Sequence, residues 1–252
     1  MSATSPDMTS VASSGGLSLA ERERLVGLFL SKFNQQALRH LGFSGYTEAY
    51  NTLGYALGVR PSSLKNHRDE YDPYFPNPRA GWHKRAMKPL NKLIFDRFRS
   101  LDFEEFSELI ESFLDPDIRT KRIVAETLGE DPELVEASVR RQLTGLAAET
   151  YFEQHHAAVP QFAQSTLADM RALACGFDYT VSDGSLTFYV EVKGLRETRG
   201  TITMTEREYD VATKLRKSYC LFIVSGFSSE PAHRRFSTRS AVRLPPPARL
   251  NT

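Results

Sequence analysis

The C-terminal half of the sequence places two carboxylates and an ammonium group where they can meet. Asp178 lies before an Asp183-Gly184 pair, and Glu191 and Lys193 lie after it. Asp-Gly is the favoured pair for a two-residue type I′ loop, so we predict a β-hairpin here. Its register places Glu191 diagonally across from Asp178, with the Cβ atoms about 7 Å apart or less, and puts Lys193 on the same face.

The predicted hairpin has one apolar and one polar face. The two-residue loop pairs Ser182 with Ser185 and Asp178 with Tyr189. The apolar face carries Phe177, Tyr179, Val181, Leu186, Phe188, Val190 and Val192. The polar face carries Asp178, Thr180, Thr187, Tyr189, Glu191 and Lys193.

Carboxylates at this separation suit a hard divalent cation. Mg²⁺ accepts one or two carboxylates, keeps waters and takes further ligands from a phosphate. The bound metal can neutralise a phosphodiester and activate a water, while Lys193 orients that water or stabilises developing charge. We predict one or two Mg²⁺ ions, for which Mn²⁺ can substitute, bound by Asp178, Glu191 and the carbonyl of Val192. The alternative is a solvated ion pair, because Glu-x-Lys is also common on the outward face of an amphipathic strand.

These residues and the elements around them resemble a known superfamily. Asp178 and Glu191-Val-Lys193, within a predicted αβββαβ order, are similar to the PD-(D/E)xK, or restriction-endonuclease-like, nucleases. The likeness covers about residues 140–228, and Phe177 stands where the superfamily name has Pro. A small branch often appended to helicases and defence proteins is similar in more detail, at residues 148–152, 176–178, 190–194, 204–208 and 219–222.

The resemblance implies metal-dependent phosphodiester cleavage. It implies that Asp178 and Glu191 bind the metal, that Lys193 lies beside the water, and that Glu149 supports the metal from the preceding helix. Glu208 occupies the third helical position of a capping box that begins at Thr205. Capping explains this glutamate, so we leave it out of the predicted catalytic set.

The predicted fold class is α+β, with a helical N-terminal domain followed by an α/β restriction-endonuclease-like core, whose mixed αβββαβ sheet is flanked by helices. Predicted helices run from the Ser18 capping box to Gly42, over 47–57, from 62–63 to 72–73, from the Asp102 N-cap, and from Asp131-Pro132 to Tyr151-Phe152. In the core we predict strands at 177–181, 186–192, 202–204 and 219–224, with a helix from Thr205 to about Lys217.

Composition divides the chain into four predicted parts. Residues 1–16 have too few apolar side chains to offset the entropy of ordering and form a disordered leader. Residues 17–130 form the helical domain, which we expect to recognise DNA, and residues 131–230 form the nuclease domain. Residues 231–252 are basic and contain three consecutive prolines, so we predict a loosely ordered tail.

Two segments of the helical half have the residues to contact DNA. The Gly58 turn between two predicted helices is typical of a helix-turn-helix, whose second helix would present Ser63, Lys65, Asn66, His67 and Arg68 to a major groove. The alternative is a plain helical hairpin with polar outer residues. A basic segment without acidic residues follows, and we predict phosphate contacts from Arg79, Trp82, Lys84 and Arg85.

Composition limits the class of protein but not its partner. Charged residues make up 25% and the net charge is +1, so a basic surface for nucleic acid must be local. The chain contains no apolar run of the roughly 18 residues that a membrane span needs, and we expect no membrane partner. Two cysteines, and a start without the features of a signal peptide, predict a cytoplasmic location.

Together these patterns predict a metal-dependent endonuclease that cuts double-stranded DNA in restriction or a related defence role. A cutter with one active site per chain would act on a palindromic sequence as a homodimer. The alternative is a DNA-binding regulator or sensor in which the nuclease-like domain is inert. The sequence leaves open RNA or modified DNA as the substrate.

Overall fold

The computed structural model describes residues 16–76 and 85–237. The predicted leader, except for Gly16, lies outside these residues, as does the chain after Ser237. Within them the helices are α1 Leu19–His40, α2 Tyr46–Ala56, α3 Pro61–Tyr71, α4 Pro89–Phe98, α5 Phe103–Leu114, α6 Pro116–Leu128, α7 Pro132–His155 and α8 Glu206–Leu215. The strands are β1 Thr166–Asp169, β2 Tyr179–Ser182, β3 Thr187–Leu195, β4 Tyr219–Ser225 and β5 Ala232–Ser237.

The fold is α+β, with a helical N-terminal region followed by a five-stranded mixed sheet flanked by helices, which confirms the predicted class. The predicted capping boxes at Ser18 and Thr205 are present, and Asp102 also caps its helix. Each cap satisfies backbone N–H groups that the first turn leaves without a partner. No described helix is both long and apolar enough to cross a membrane.

The sheet has the order β1-β2-β3-β4-β5. Strands β1, β2 and β3 pair antiparallel, β3 and β4 pair parallel across the α8 connection, and β5 pairs antiparallel with β4. The central strand β3, which carries Glu191 and Lys193, therefore has a neighbour on each side. This strand is held by backbone hydrogen bonds along both edges, which gives its side chains fixed positions.

The hairpin register differs from the predicted one. Ser182 pairs with Thr187 instead of Ser185, so the loop has four residues rather than two. The carboxylate of Asp183 accepts hydrogen bonds from the amides of Ser185 and Leu186 at 2.9 and 2.8 Å, which stabilises the wider loop. The partner of each β2 residue is displaced by two positions along β3. Because two positions are one full side-chain period of a strand, each side chain keeps its predicted face.

Two predictions about the edges of the sheet are wrong, and one strand was missed. Residues 202–204 do not form a strand, because β3 is already paired on both sides by β2 and β4. The short strand β1, which is largely exposed, was not predicted. Part of the predicted loose tail, residues 232–237, is the ordered strand β5.

Helix α7 belongs to both halves of the molecule. Val139 and Leu143 lie in the core of the helical region, whereas Ala148 and Phe152 lie in the core beneath the sheet. At Gly194 of β3 an added Cβ would lie 2.5 Å from the carbonyl oxygen of Thr144, so glycine permits close packing of α7 on the sheet. The predicted boundary at residue 130 precedes a helix that the two cores share.

Candidate active site

Asp178 is fixed by the backbone of β3. It lies one residue before β2, and its amide donates to the carbonyl oxygen of Val190 at 2.9 Å. Its Oδ2 accepts a hydrogen bond from the amide of Val192 at 2.8 Å. Burial raises the pKa of Asp178, although the Val192 amide and the charge of Lys193 act in the opposite direction. The charge of this carboxylate also acts on Glu191, in a register that is shifted from the predicted one.

The buried Glu191 forms an ion pair with the half-buried Lys193. Glu191 is 4% exposed, and its Oε1 lies 2.6 Å from Nζ of Lys193. Burial and the charge of Asp178 raise the pKa of Glu191 to about 8, although Lys193 acts against the shift. Burial lowers the pKa of Lys193, but the charges and hydrogen bonds of Glu191 and Glu208 outweigh it and leave this pKa raised. The burial of Glu191 differs from the fully solvated strand face of the alternative interpretation, whereas Lys193 is partly exposed.

Glu208 belongs to the same cluster, which the sequence interpretation missed. Its Oε2 accepts from Nζ of Lys193 at 2.9 Å and from the amide of Thr205 at 3.0 Å. The capping interaction is therefore real, but it does not account for the whole role of this carboxylate. The sequence did offer a signal for this role. Glu208 begins a predicted helix that follows the strand carrying Glu191 and Lys193, so it could reach the polar face of that strand.

Glu149 reaches the site from α7, where it is held by Arg171. Oε2 of Glu149 lies 2.7 Å from Nη1 of Arg171, which begins a short 3₁₀ turn after β1. Burial raises the pKa of Glu149, and the charge of Asp178 contributes while the hydrogen bond from Arg171 opposes. The charge of Asp178 thus reaches Glu149. The sequence analysis did not single out Arg171, because it did not predict the strand β1 that precedes this residue.

The charges of this cluster favour a cation. Its two cations, Lys193 and Arg171, are outnumbered by the carboxylates of Asp178, Glu191, Glu208 and Glu149. Burial raises the pKa of Asp178, of Glu191 and of Glu149. In the described part of the chain, no group of three or more His, Cys, Asp and Glu side chains is arranged to hold a metal ion. The pair Asp178 and Glu191 stays the predicted donor set, and Mg²⁺ accepts such a pair because this ion keeps several waters. The carbonyl of Val192 as a further ligand stays a prediction.

The predicted DNA-reading face of α3 is wrong at two positions. Arg68 is 0% exposed, and its guanidinium donates to Oδ1 of Asn34 at 2.8 Å and lies over the ring of Tyr46. His67 is also buried. The positions of Leu64, His67, Arg68 and Tyr71 have the i, i+3, i+4, i+7 spacing of one helix face, so the buried face was visible in the sequence.

The other predicted DNA contacts stay predictions. Lys65 and Asn66 are exposed on α3, whereas Ser63 is half-buried and donates to Glu23 at 3.1 Å. Arg85 is exposed. Arg79, Trp82 and Lys84 lie outside the described residues.

The turn between α2 and α3 packs against the helix that carries Glu149. Nε2 of Gln154 on α7 donates to the carbonyl oxygen of Gly58 at 3.2 Å. In the first turn of α2, the buried Glu48 pairs with Arg196, directly after β3, at 2.7 Å. The helical region thus contacts both elements that position the candidate site.

Comparison with known proteins gives one partial match. A family model described as Protein NO VEIN, C-terminal, matches residues 148–236. This segment runs from the end of α7 to β5 and contains Glu149, Arg171, Asp178, the β3 pair and Glu208. Searches of the curated proteins and of the solved structures found no match.

Proposed function

We propose that the C-terminal half is a metal-dependent nuclease domain of the PD-(D/E)xK type that hydrolyses phosphodiester bonds in DNA. The observation that carries this proposal is the cluster in which the half-buried Asp178 and Lys193 meet the buried Glu191 on one side of β3. A buried carboxylate such as Glu191, with a second carboxylate acting on it, is costly unless a function or a cation compensates it. The family-model match spans the same residues.

Each side chain has a distinct part in the proposed reaction. Asp178 and Glu191 would hold the divalent cation, which supplies charge neutralisation and an activated water. Lys193 directs its ammonium group to the same point, because Glu191 and Glu208 hold it at 2.6 and 2.9 Å. From there it can donate a hydrogen bond to a phosphate oxygen or to the attacking water. Glu149 adds negative charge beside Asp178.

The helical half is proposed to supply DNA recognition. The exposed side chains of Lys65 and Asn66 lie on α3, whose preceding turn packs against α7. A sequence-specific enzyme of this kind would serve restriction or defence and would act as a homodimer on a palindromic site. The burial of Arg68 leaves fewer base-reading side chains than a full recognition helix presents.

Cleavage of supercoiled plasmid and phage DNA tests the proposal. With Mg²⁺ we expect wild type to produce cleaved products, and we expect Lys193→Ala and Glu191→Gln to lose at least about 100-fold in rate, the usual effect of removing a charge-stabilising group. EDTA should abolish cleavage. Lys214→Ala is the matched control, because Lys214 is exposed on α8 and should leave the rate unchanged.

A different result would favour a different class of protein. If wild type binds both DNAs but cleaves neither with Mg²⁺ or Mn²⁺, the nuclease proposal fails and the regulator interpretation takes its place. If cleavage appears but is equal in Lys193→Ala, the activity does not come from this cluster. Cleavage of RNA in preference to DNA would correct the substrate and leave the site unchanged.

A further inference from the structure

Arg171 is surrounded by carboxylates next to the candidate metal site. Its Nη1 lies 2.7 Å from Glu149, and its Nη2 lies 3.0 Å from Glu153. Nε and Nη2 contact both oxygens of Asp169, at 3.0 and 2.5 Å. All three nitrogens of the guanidinium group therefore donate to carboxylates from α7 and from the end of β1.

The aromatic side chain of Tyr179 closes the other side of this group. Its ring centroid lies 5.0 Å from the guanidinium carbon of Arg171, and its hydroxyl donates to Oε1 of Glu153 at 2.7 Å. The amide of Arg171 also donates to Oδ1 of Asp169 at 3.0 Å, which ties the backbone to the same carboxylate. Arg171 is thus held at its side chain and its main chain.

A guanidinium group in this position carries a permanent positive charge. Arginine does not lose its proton at any physiological pH, so it neutralises the carboxylates as a bound cation would. A divalent ion that entered between Glu149, Glu153 and Asp169 would have to displace these hydrogen bonds and accept repulsion from the guanidinium charge. Asp178 and Glu191 lie outside this group of contacts, with Asp178 oriented by the backbone of β3.

We propose that Arg171 is a positioning residue that acts as a fixed internal cation, closes the Glu149, Glu153 and Asp169 cluster to metal, and limits the site to one divalent ion between Asp178 and Glu191. This inference rests on the proposed function and adds the number of ions. It also changes the role of Glu149, which acts through its charge and its bond to Arg171 and not as a direct ligand.

Mn²⁺ binding followed by electron paramagnetic resonance tests the number of ions without DNA or turnover. We expect one bound Mn²⁺ per chain in wild type and two in Arg171→Gln, because the variant leaves the three carboxylates without their counter-ion. Adding Glu149→Gln to Arg171→Gln should return the number to one. Arg171→Lys is the matched control: it keeps the charge and should bind one ion. Circular dichroism and thermal melting verify that each variant is folded.

The outcomes separate this inference from the proposed function. Two ions in wild type overturn the inference alone, and this result needs no variant to fold. One ion in both wild type and folded Arg171→Gln overturns it as well. No Mn²⁺ bound to wild type, at concentrations that saturate ordinary carboxylate sites, contradicts the metal-dependent function itself.

Discussion

Single side chains in this protein serve two neighbours at once. Oε2 of Glu208 accepts hydrogen bonds from the amide of Thr205, the N-cap of α8, and from the ammonium group of Lys193. Arg68, which the sequence interpretation placed in a DNA groove, instead joins α1 to α3 inside the helical core. Residue type and spacing identify such a group, but its partner depends on which face the tertiary packing covers.

His67 gives the helical half a predictable response to pH. Its Nε2 lies 2.6 Å from Glu23 and its Nδ1 lies 3.1 Å from Asn91. Burial lowers the pKa of His67 below 6.5, although the hydrogen bond to the carboxylate of Glu23 opposes this. The unfolded chain therefore takes up the proton at a higher pH than the folded chain does, and the free energy of unfolding falls as the pH drops below about 6.5.

Urea unfolding at pH 7.5 and 5.5 measures this effect. We expect wild type to lose up to about 1.4 kcal/mol between these two pH values through His67, because pH 5.5 lies about one unit below the pKa of the unfolded histidine. His67→Gln, which retains a polar side chain but does not titrate, should show a smaller loss between the two pH values. An equal loss in both proteins would mean that other groups cause the acid sensitivity.

Elements with local signals were predictable, and elements that depend on distant partners were not. The capping boxes at Ser18 and Thr205, and the alternation along β3, predicted three elements and the faces of their side chains. These features depend on neighbouring residues in the chain. Strands β1 and β5 are short or basic, and they exist because β2 and β4 offer free edges. Since β1 positions Arg171, missing this strand also concealed part of the candidate site.

The packing of α7 on β3 predicts opposite effects for two glycine substitutions. Gly194→Ala would place a Cβ 2.5 Å from the carbonyl oxygen of Thr144, so the helix must move from the strand that carries the candidate site. We expect a loss of about 1–3 kcal/mol in the free energy of unfolding. Gly145→Ala, within α7, meets no atom within 4 Å and should stabilise by about 0.5–1 kcal/mol through helix propensity.

Chemical denaturation of the two variants measures both changes. Gly194→Ala should also reduce cleavage beyond its effect on stability, because it displaces β3 relative to Glu149. Equal stability of Gly194→Ala and wild type would show that α7 can shift without cost, and it would weaken the argument that this helix holds Glu149 in place.

At the scale of the molecule, two hydrophobic cores are joined by one continuous helix, by Tyr55 and Ala56 of α2, which pack against the second core, and by polar contacts. Helix α7 contributes Leu143 to the first core and Phe152 to the second. Hydrophobic periodicity predicted the existence of this helix, but it could not assign the two ends to different cores, because both ends have the same spacing. The polar contacts between the halves link residues far apart in the chain and had no sequence pattern.

Asn51 is the contact that best tests the coupling of the two halves. It is buried on α2, and its Nδ2 donates to the carbonyl oxygens of Phe227 and Ser229 after β4, at 3.0 and 2.9 Å. Asn51→Ala leaves the buried carbonyl of Phe227 without this donor, at a cost of about 1–3 kcal/mol. Hydrogen exchange should therefore accelerate in the sheet half as well as in α2.

Asn66→Ala is the matched control: this asparagine is exposed on α3, and its substitution should change the free energy of unfolding by less than about 0.5 kcal/mol. Faster exchange confined to α2 would show that the sheet half is stable without the helical half, and a C-terminal fragment would then be expected to fold and bind metal alone.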